Sequence, residues 1–431
     1  MNVLMICYYY PPLTDVGAKR SVAFSKYFRK HGWKPFVLSV KNPEKGYCSI
    51  GTDAPPEGVP TEYSYSVINL YWLLKKMNGA LDRIFRIFGS ELKRDHFFDL
   101  ICYPDHFVGW IPLTTLKGIR MMRKNSIDAI YVSSTPFTGS LVGVFLKKLT
   151  KKPLILDFRD PFMVGISDYA GMTRIRRAVN RWFEKMFLRH ADLFFVTSEE
   201  TRQAYIREYP WVEKKAFTVY NGFDPVSSLD VIERKFDKFS IIYTGQFYTY
   251  GPNHQLYTDM LFKALAHLKS EGDISDENFQ FLFYGNEYEY INETAGRYGV
   301  NDLVIARSRV PYKEVLNSIS RSHLMLLRIV KLMISTKLFE GIPLNIPFLA
   351  TIPHGEVEEI IREYSPGSYI VTEEGSHIEV AAAIKDAMMK YRENQIPANR
   401  VDDFLARFTR ENMTLQLMRI VEERLMQRSS Q

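Results

Sequence analysis

Three groups of residues in this chain have types and spacings suited to chemistry on an anion. In Ser335-Thr336-Lys337-Leu338-Phe339-Glu340, a small hydroxyl residue stands where a helix is expected to begin, so Ser335 is expected to cap it. Thr336 and Lys337 then offer donors to a diphosphate, while Glu340, about one turn further along the same face, can accept hydrogen bonds from a ribose diol. The second group is the loop 8–16 followed by Gly17-Ala18-Lys19-Arg20. There Gly17 lets a phosphate approach the backbone, the free amides of a first helical turn point at it, and Arg20 adds charge. The third is Asp157, Arg159 and Asp160, placed to orient a donor sugar or an acceptor hydroxyl. Each group also has a plain structural reading: a capped surface helix, a tight turn with a solvated basic pair, and a structural ion pair. Asp105, in Pro104-Asp105-His106-Phe107-Val108-Gly109-Trp110, is a further acceptor-side candidate, and His106 and Trp110 read as packing residues.

These groups need elements that hold them. The chain has 431 residues, enough for two or three domains at roughly 150 residues each. Its 46% hydrophobic and 24% charged residues fit a globular protein and exclude a disordered, collagen-like or coiled-coil one. Short apolar runs at 3–7, 36–40, 129–133, 154–157 and 193–197 alternate with helical patterns at 18–30, 116–124, 138–149 and 175–189, the signature of a parallel sheet built from βαβ units. After Asn221-Gly222-Phe223-Asp224-Pro225 comes a polar, turn-rich stretch ending near Phe239, read as a linker. The alternation then restarts, with strands expected at 240–244, 280–284, 303–306, 324–328 and 348–351. The expected domains are therefore 1–225 and 239–399, with a helical tail over 400–431 that returns to the first. In such domains ligands bind at the carboxyl ends of the strands.

Several activities are excluded by missing motifs. There is no Gly-Lys dipeptide, hence no P-loop, and no Gly-x-Gly, His-Glu-x-x-His or Gly-x-Ser-x-Gly. Asp-x-Asp, a common metal holder against sugar-nucleotide phosphates, is also missing, so bound phosphates would rest on backbone amides and basic side chains. Cys7, Cys48 and Cys102 are odd in number and far apart, which reads as packing. No metal site and no cofactor is expected. The net charge of +7, from 56 basic and 49 acidic residues, suits an anionic partner.

Taken in order, the motifs resemble the retaining glycosyltransferases of family 4, which have the two-domain GT-B fold. Tyr9 with Tyr10-Pro11-Pro12 and the following Gly17 and Arg20 is similar to the family's opening loop. Ser133-Ser134-Thr135-Pro136-Phe137 and Leu156-Asp157-Phe158-Arg159-Asp160-Pro161 resemble strand ends of one subgroup. Asn221-Gly222-Phe223-Asp224 looks like the end of the first domain, Tyr243-Thr244-Gly245 like the opening of the second, and Thr336-Lys337-Leu338-Phe339-Glu340 like the helix start that grips the donor. The chain departs from the pattern in three places. Many members carry two glutamates eight apart, whereas Leu332 stands at the first position; residues 246–255 lack the Arg and Lys that many place there; and Arg159 replaces a frequent His.

The resemblance implies an α/β GT-B protein with two Rossmann-like domains facing each other across a cleft and a C-terminal helix crossing back to the first. It implies a hexosyltransferase-type reaction from a nucleotide-sugar to a glycan or lipid-linked glycan, retaining configuration and independent of metal. Gly17, Arg20, Thr244, Gly245, Gln246, Thr336, Lys337 and Glu340 would bind the donor, and Asp157, Arg159, Asp160 and Lys337 would serve catalysis. A nucleotide-sugar epimerase of the same fold and a non-catalytic sugar or nucleotide binder remain alternatives. Residues 72–93 and 174–189 combine apolar and basic side chains; they fit a peripheral membrane contact or ordinary solvated helices docked on a core. Their basic residues lie beside apolar faces rather than forming a stripe with exposed aromatics, so no nucleic-acid partner is expected. Residues 1–7 lack the basic flank of a signal peptide, and a cytoplasmic protein, peripheral on the inner membrane face at most, is expected.

Overall fold

A computed structural model describes residues 1–45, 47–87, 101–165, 172–224, 234–247, 254–329, 332, 334–372 and 375–429. They form two units, Met1–Asn221 with Arg410–Gln431, and Gly222–Thr409.

The first unit is built on β1 (Asn2–Cys7), β2 (Lys34–Val40), β3 (Thr61–Ser64), β4 (Ala129–Ser134), β5 (Leu154–Phe158), β6 (Leu193–Val196) and β7 (Ala216–Thr218), in the order β3-β2-β1-β4-β5-β6-β7. All neighbours pair parallel. Every residue of β4 and β5 is buried, which is why these strands read as continuous apolar runs rather than alternating ones. The second unit repeats the plan with β8 (Phe239–Thr244), β9 (Phe279–Tyr284), β10 (Val304–Arg307), β11 (Leu324–Arg328), β12 (Phe348–Thr351) and β13 (Tyr369–Val371), ordered β10-β9-β8-β11-β12-β13. Strand order thus reverses between β1 and β4 and again between β8 and β11, the places where an open parallel sheet accepts a ligand.

The tail departs from expectation. It is two helices, Val401–Phe408 and Arg410–Ser429, separated by Thr409 in extended conformation. The shorter one belongs to the second unit, where Phe404 lies 5.9 Å from Phe339 and 5.3 Å from Tyr364, ring to ring. The longer one belongs to the first unit. Its Met413, Leu417 and Val421 join a core with Val3, Met5 and Phe24, while Glu411 bonds His31 at 2.7 Å and Glu422 accepts from Trp33 Nε1 at 2.7 Å. The unit boundaries therefore fall after Asn221 and after Thr409, not at 225 and 400. Of the expected linker, 225–233 lies outside the described residues. Lys235 already belongs to the second unit, donating to the carbonyls of Ser320 and Ser322 at 2.9 and 2.8 Å.

The first part of the apolar, basic stretch 72–93 is the helix Leu70–Ile87; residues 88–93 lie outside the described ones. Its orphan amides are met in turn: Glu44 accepts from Leu70 N at 3.1 Å and Tyr71 N at 3.2 Å, and Asn69 Oδ1 from Trp72 N at 3.2 Å. Glu44 is 2% exposed, and its burial outweighs the two amides, pushing its carboxyl from 4.5 up to about 7. The folded chain thus holds this proton more tightly than the unfolded one, so this contribution to stability is full below pH 4.5 and is lost as pH rises through about 7. Glu44→Gln removes that dependence. We expect its melting temperature, relative to the unaltered protein, to rise by about 3–6 °C between pH 5 and pH 8; a difference that stays flat with pH disproves the assignment.

Candidate active site

In the second unit the candidates gather at the carboxyl end of β8. Thr244 is buried, and Gly245 follows with φ +95°, a conformation that disfavours any side chain. Gly245 N donates to Tyr284 O at 2.7 Å, which ties the turn to β9. A Cβ on Gly245 would stand 3.7 Å from the Lys337 ammonium, so this lysine lies directly against the turn. Its Nζ sits over the Tyr243 ring, 4.7 Å from the centroid, while the Tyr243 hydroxyl donates to the carbonyl of Gln246 at 2.7 Å. The structure brings Thr244, Gly245, Gln246 and Lys337 together.

The helix carrying Lys337 is Thr336–Gly341, and the expected cap is present: Ser335 Oγ accepts from Lys337 N at 3.2 Å. At six residues this helix is too short for its dipole to hold an anion, so the charge here rests on the ammonium. Phe339 turns inward to Phe404 and Phe408, and Asn399 Nδ2 holds the far end through the carbonyls of Ile342 and Ile346, at 3.3 and 3.1 Å. Glu340 is buried and accepts from the Tyr312 hydroxyl at 3.0 Å, a partner that its spacing in sequence, 28 residues away, concealed. Leu332, eight positions before Glu340, has φ +67°.

A further residue escaped the sequence reading. Arg328, the last residue of β11, places its guanidinium over the Phe247 ring at 4.8 Å and donates from Nη1 to Phe247 O at 2.9 Å. The available signal was a single arginine closing the apolar run Leu324-Met325-Leu326-Leu327 on the strand beside β8.

In the first unit the structure separates residues that the sequence had grouped. Arg20 and Asp157 are 3% and 0% exposed and pair with each other, Nε to Oδ2 at 2.7 Å and Nη2 to Oδ1 at 2.9 Å. Tyr131 also donates to Asp157, and Arg20 Nη1 donates to Tyr220 O at 2.7 Å. Arg20 therefore does not present its charge to a phosphate, nor Asp157 its carboxylate to a substrate. Both are corrected to structural members of a buried pair that holds β5, the helix Val16–Lys30 and the end of the unit together. Asp105 is corrected likewise: it accepts from Thr138 N at 3.0 Å, from the Thr138 hydroxyl, and from Phe107 N at 3.1 Å, thereby capping the helix Thr138–Thr150. Burial raises its pKa against these donors.

Arg159 stands differently. It follows β5, with its guanidinium 5.7 Å from the Tyr9 centroid and Nη2 donating to Thr135 O at 2.6 Å. A Cβ on Gly17 would stand 2.4 Å from its Nη1, so the guanidinium rests directly against the bare backbone of Gly17. Arg159 and the first turn of Val16–Lys30 thus meet at the carboxyl ends of β1, β4 and β5. Asp160, half-buried, is next in the chain. Burial pushes the thiols of Cys7, Cys48 and Cys102 up to about 12, which keeps them neutral.

Residues 66–226 match the model of Glycosyltransferase Family 4. No curated protein sequence matches the chain. Among solved structures, sucrose-phosphate synthase from Thermosynechococcus elongatus is similar with a TM-score of 0.67 and 15% identity, covering 98% of each chain. Anabaena HepE in complex with UDP-glucose is similar with a TM-score of 0.63 and 14% identity over 98% of this chain and 100% of the other. The lipopolysaccharide outer core galactosyltransferase WaaB gives 0.60 and 12%, over 98% and 99%.

The reassignment of Arg20 is open to a direct check. Arg20→Ala leaves Asp157 charged and unpaired in the interior and is expected to cost about 3–5 kcal/mol in urea unfolding. Asp160→Asn, at a half-buried position two residues past the same strand, is expected to cost no more than about 1 kcal/mol. Equal, small losses in both would restore Arg20 as a candidate for ligand contact.

Proposed function

We propose that the chain, which has the GT-B fold and whose residues 66–226 match the model of Glycosyltransferase Family 4, moves a sugar from a nucleotide-sugar donor to a glycan or lipid-linked glycan acceptor, retaining anomeric configuration and using no metal. The observation that carries this reading is the Lys337 ammonium held against the Gly245 turn at the carboxyl end of β8. When the bond from the anomeric carbon to the donor's diphosphate breaks, its electron pair stays on the phosphate oxygen. A fixed cation beside that oxygen lowers the barrier most where water is scarce. Lys337 takes this role, with Thr244, Gly245, Gln246 and Thr336 around the donor's phosphates and sugar, and Glu340 receiving the ribose diol. The acceptor hydroxyl oxygen bonds the anomeric carbon from the face that the diphosphate leaves, and its proton passes to the departing phosphate oxygen. On the first unit, Arg159 and Asp160 are the candidates for orienting a donor sugar or an acceptor hydroxyl, and Gly17 for the close approach of a phosphate. The likeness to a fold that holds UDP-glucose in HepE supports a nucleotide-sugar donor.

A lipid-linked acceptor on the inner membrane face agrees with two exposed surfaces. No helix among the described residues is long and apolar enough to cross a membrane. The helix Arg174–His190, however, exposes Ile175 and Trp182 at 73% and 61% among Arg174, Arg181, Lys185 and Arg189. On Leu70–Ile87, Trp72 is half exposed, with the Lys76 ammonium 5.2 Å from its ring. Aromatic rings amid basic side chains suit an anionic lipid surface.

The decisive experiment is a thermal-shift screen of UDP, GDP, dTDP and ADP compounds, followed by turnover with the stabilising donor. One diphosphate series is expected to raise the melting temperature. Lys337→Ala is expected to lose that shift and to lower kcat by about 100- to 1,000-fold while melting like the unaltered protein. An acceptor that gains one sugar mass distinguishes transfer from epimerisation. Unchanged turnover in Lys337→Ala removes the reading.

A further inference from the structure

We infer that one face of the first unit, the outer side of the three helices Ile111–Lys124, Thr138–Thr150 and Arg174–His190, is a docking surface for an anionic lipid bilayer. The inference rests on the lipid-linked acceptor proposed above and extends the contact from single helices to a layer.

The first ground is arrangement. β3, β4, β5 and β6 succeed one another in one direction across the sheet, and right-handed crossovers therefore place the three helices on one face. Leu146 packs on the bare backbone of Gly118, and Lys147 Nζ donates to His190 O at 2.7 Å, so the helices form a closed layer. The second ground is composition. The three carry twelve lysines and arginines against one acidic residue, Glu184, whose carboxylate is turned inward to Met163 N and the hydroxyls of Tyr205 and Tyr209. Glu62 and Asp192, from outside the layer, pair Lys117 and Lys147 at 3.2 and 2.6 Å. Arg120, Arg123, Lys124, Lys148, Arg181 and Lys185 are exposed and have no acidic partner among the described residues. Leu113, Leu116, Phe145, Leu149, Ile175 and Trp182 are exposed among them, Leu116 and Leu149 by 54% and 64%.

A solvated helix face ordinarily mixes charges of both signs, which stabilise each other one turn apart. Here spacings of three and four residues set apolar side chains beside cations instead: Leu116 beside Arg120, Phe145 beside Lys148, Trp182 beside Lys185. A free anion or a polyphosphate chain would answer the charge but not the aliphatic groups. Leucine and isoleucine gain by leaving water for an acyl interior, while lysine and arginine keep their charges at the headgroups on long apolar stems. A bilayer containing anionic lipids meets both needs at once, and each basic residue near its surface adds to the attraction. The helix Thr138–Thr150 starts just beyond β4, so a bilayer against this layer lies beside the strand ends that hold Arg159.

The test is co-sedimentation of the full chain with vesicles of phosphatidylcholine, alone and with added phosphatidylglycerol, at low and high salt. Binding is expected with phosphatidylglycerol only, and is expected to weaken as salt rises. Arg120→Glu with Lys148→Glu, and separately Arg181→Glu with Lys185→Glu, are each expected to weaken it by roughly tenfold or more while melting like the unaltered protein. Leu116→Ser with Leu149→Ser is expected to weaken it about fivefold. If Arg120→Glu with Lys148→Glu leaves vesicle binding unchanged, the layer is not the surface and the inference fails. It fails as well if Leu116→Ser with Leu149→Ser binds like the unaltered protein and a nucleic-acid duplex displaces the vesicles, because the face then answers phosphate charge alone. Transfer to a soluble acceptor, expected to be unchanged in all three variants, reads the proposed function separately. Vesicle binding without any transfer removes that function and leaves the docking surface; transfer without vesicle binding does the reverse.

Discussion

The structure turns on keeping a positive charge at the carboxyl end of a parallel sheet without dissolving it into bulk water. An ammonium in such a place loses hydration, and the loss has to be offset by fixed partners. For Lys337 the offset is the face of Tyr243, whose quadrupole attracts a cation, and the open backbone of Gly245. Neither suffices if the lysine can swing away. The short helix that carries it is therefore fixed from three sides: by the Ser335 cap at its start, by Phe404 and Phe408 around Phe339, and by Asn399 at its end. This gives the small helix Val401–Phe408 a purpose in the second unit, since its two phenylalanines are what Phe339 packs against.

In the first unit the same problem is solved twice, with opposite results. Asp157 lies within β5, where both neighbouring strands cover it, so a carboxylate there is tolerable only when paired; Arg20 and Tyr131 pair it. Arg159 lies just past the strand, where the sheet no longer covers it, and its charge stays at the edge under Tyr9 and Thr135. Two residues in sequence separate a structural ion pair from a candidate site. The deciding variable is where β5 ends.

That variable also marks how far the sequence was legible. Ten strands were anticipated because buried parallel strands are uninterrupted apolar runs, and such runs are visible without context. The three that were missed, β3, β7 and β13, are edge strands of three or four residues with mixed burial, too short to show a period. The Ser335 to Glu340 group was legible because a cap, a cation and a carboxylate follow each other within a single turn and a half of helix. Arg20 and Asp157 were misread because their partnership spans 137 positions, and Tyr312 and Arg328 were overlooked because their partners lie 28 and 81 positions away. Local spacing can show which groups are present; it does not show whom they face.

The stretch after Arg159 shows how a buried charge can serve a site that it does not join. Glu184, on the helix Arg174–His190, is fully buried, yet its carboxylate is surrounded by donors. Met163 N at 2.8 Å, Val164 N at 3.4 Å and the hydroxyls of Tyr205 and Tyr209 at 2.8 and 3.0 Å all point to it. Burial nevertheless raises its pKa against these four donors. What is ordered is the backbone from Pro161 to Val164, further fixed by Phe162 stacking on Phe137 with 4.0 Å between centroids. A loop tied at one end to β5 and at the other to Glu184 leaves Arg159 and Asp160 little freedom. Groups that must meet developing charge act best when they need not reorganise to do so. The buried carboxylate thus holds the half-buried charges of Arg159 and Asp160 in place.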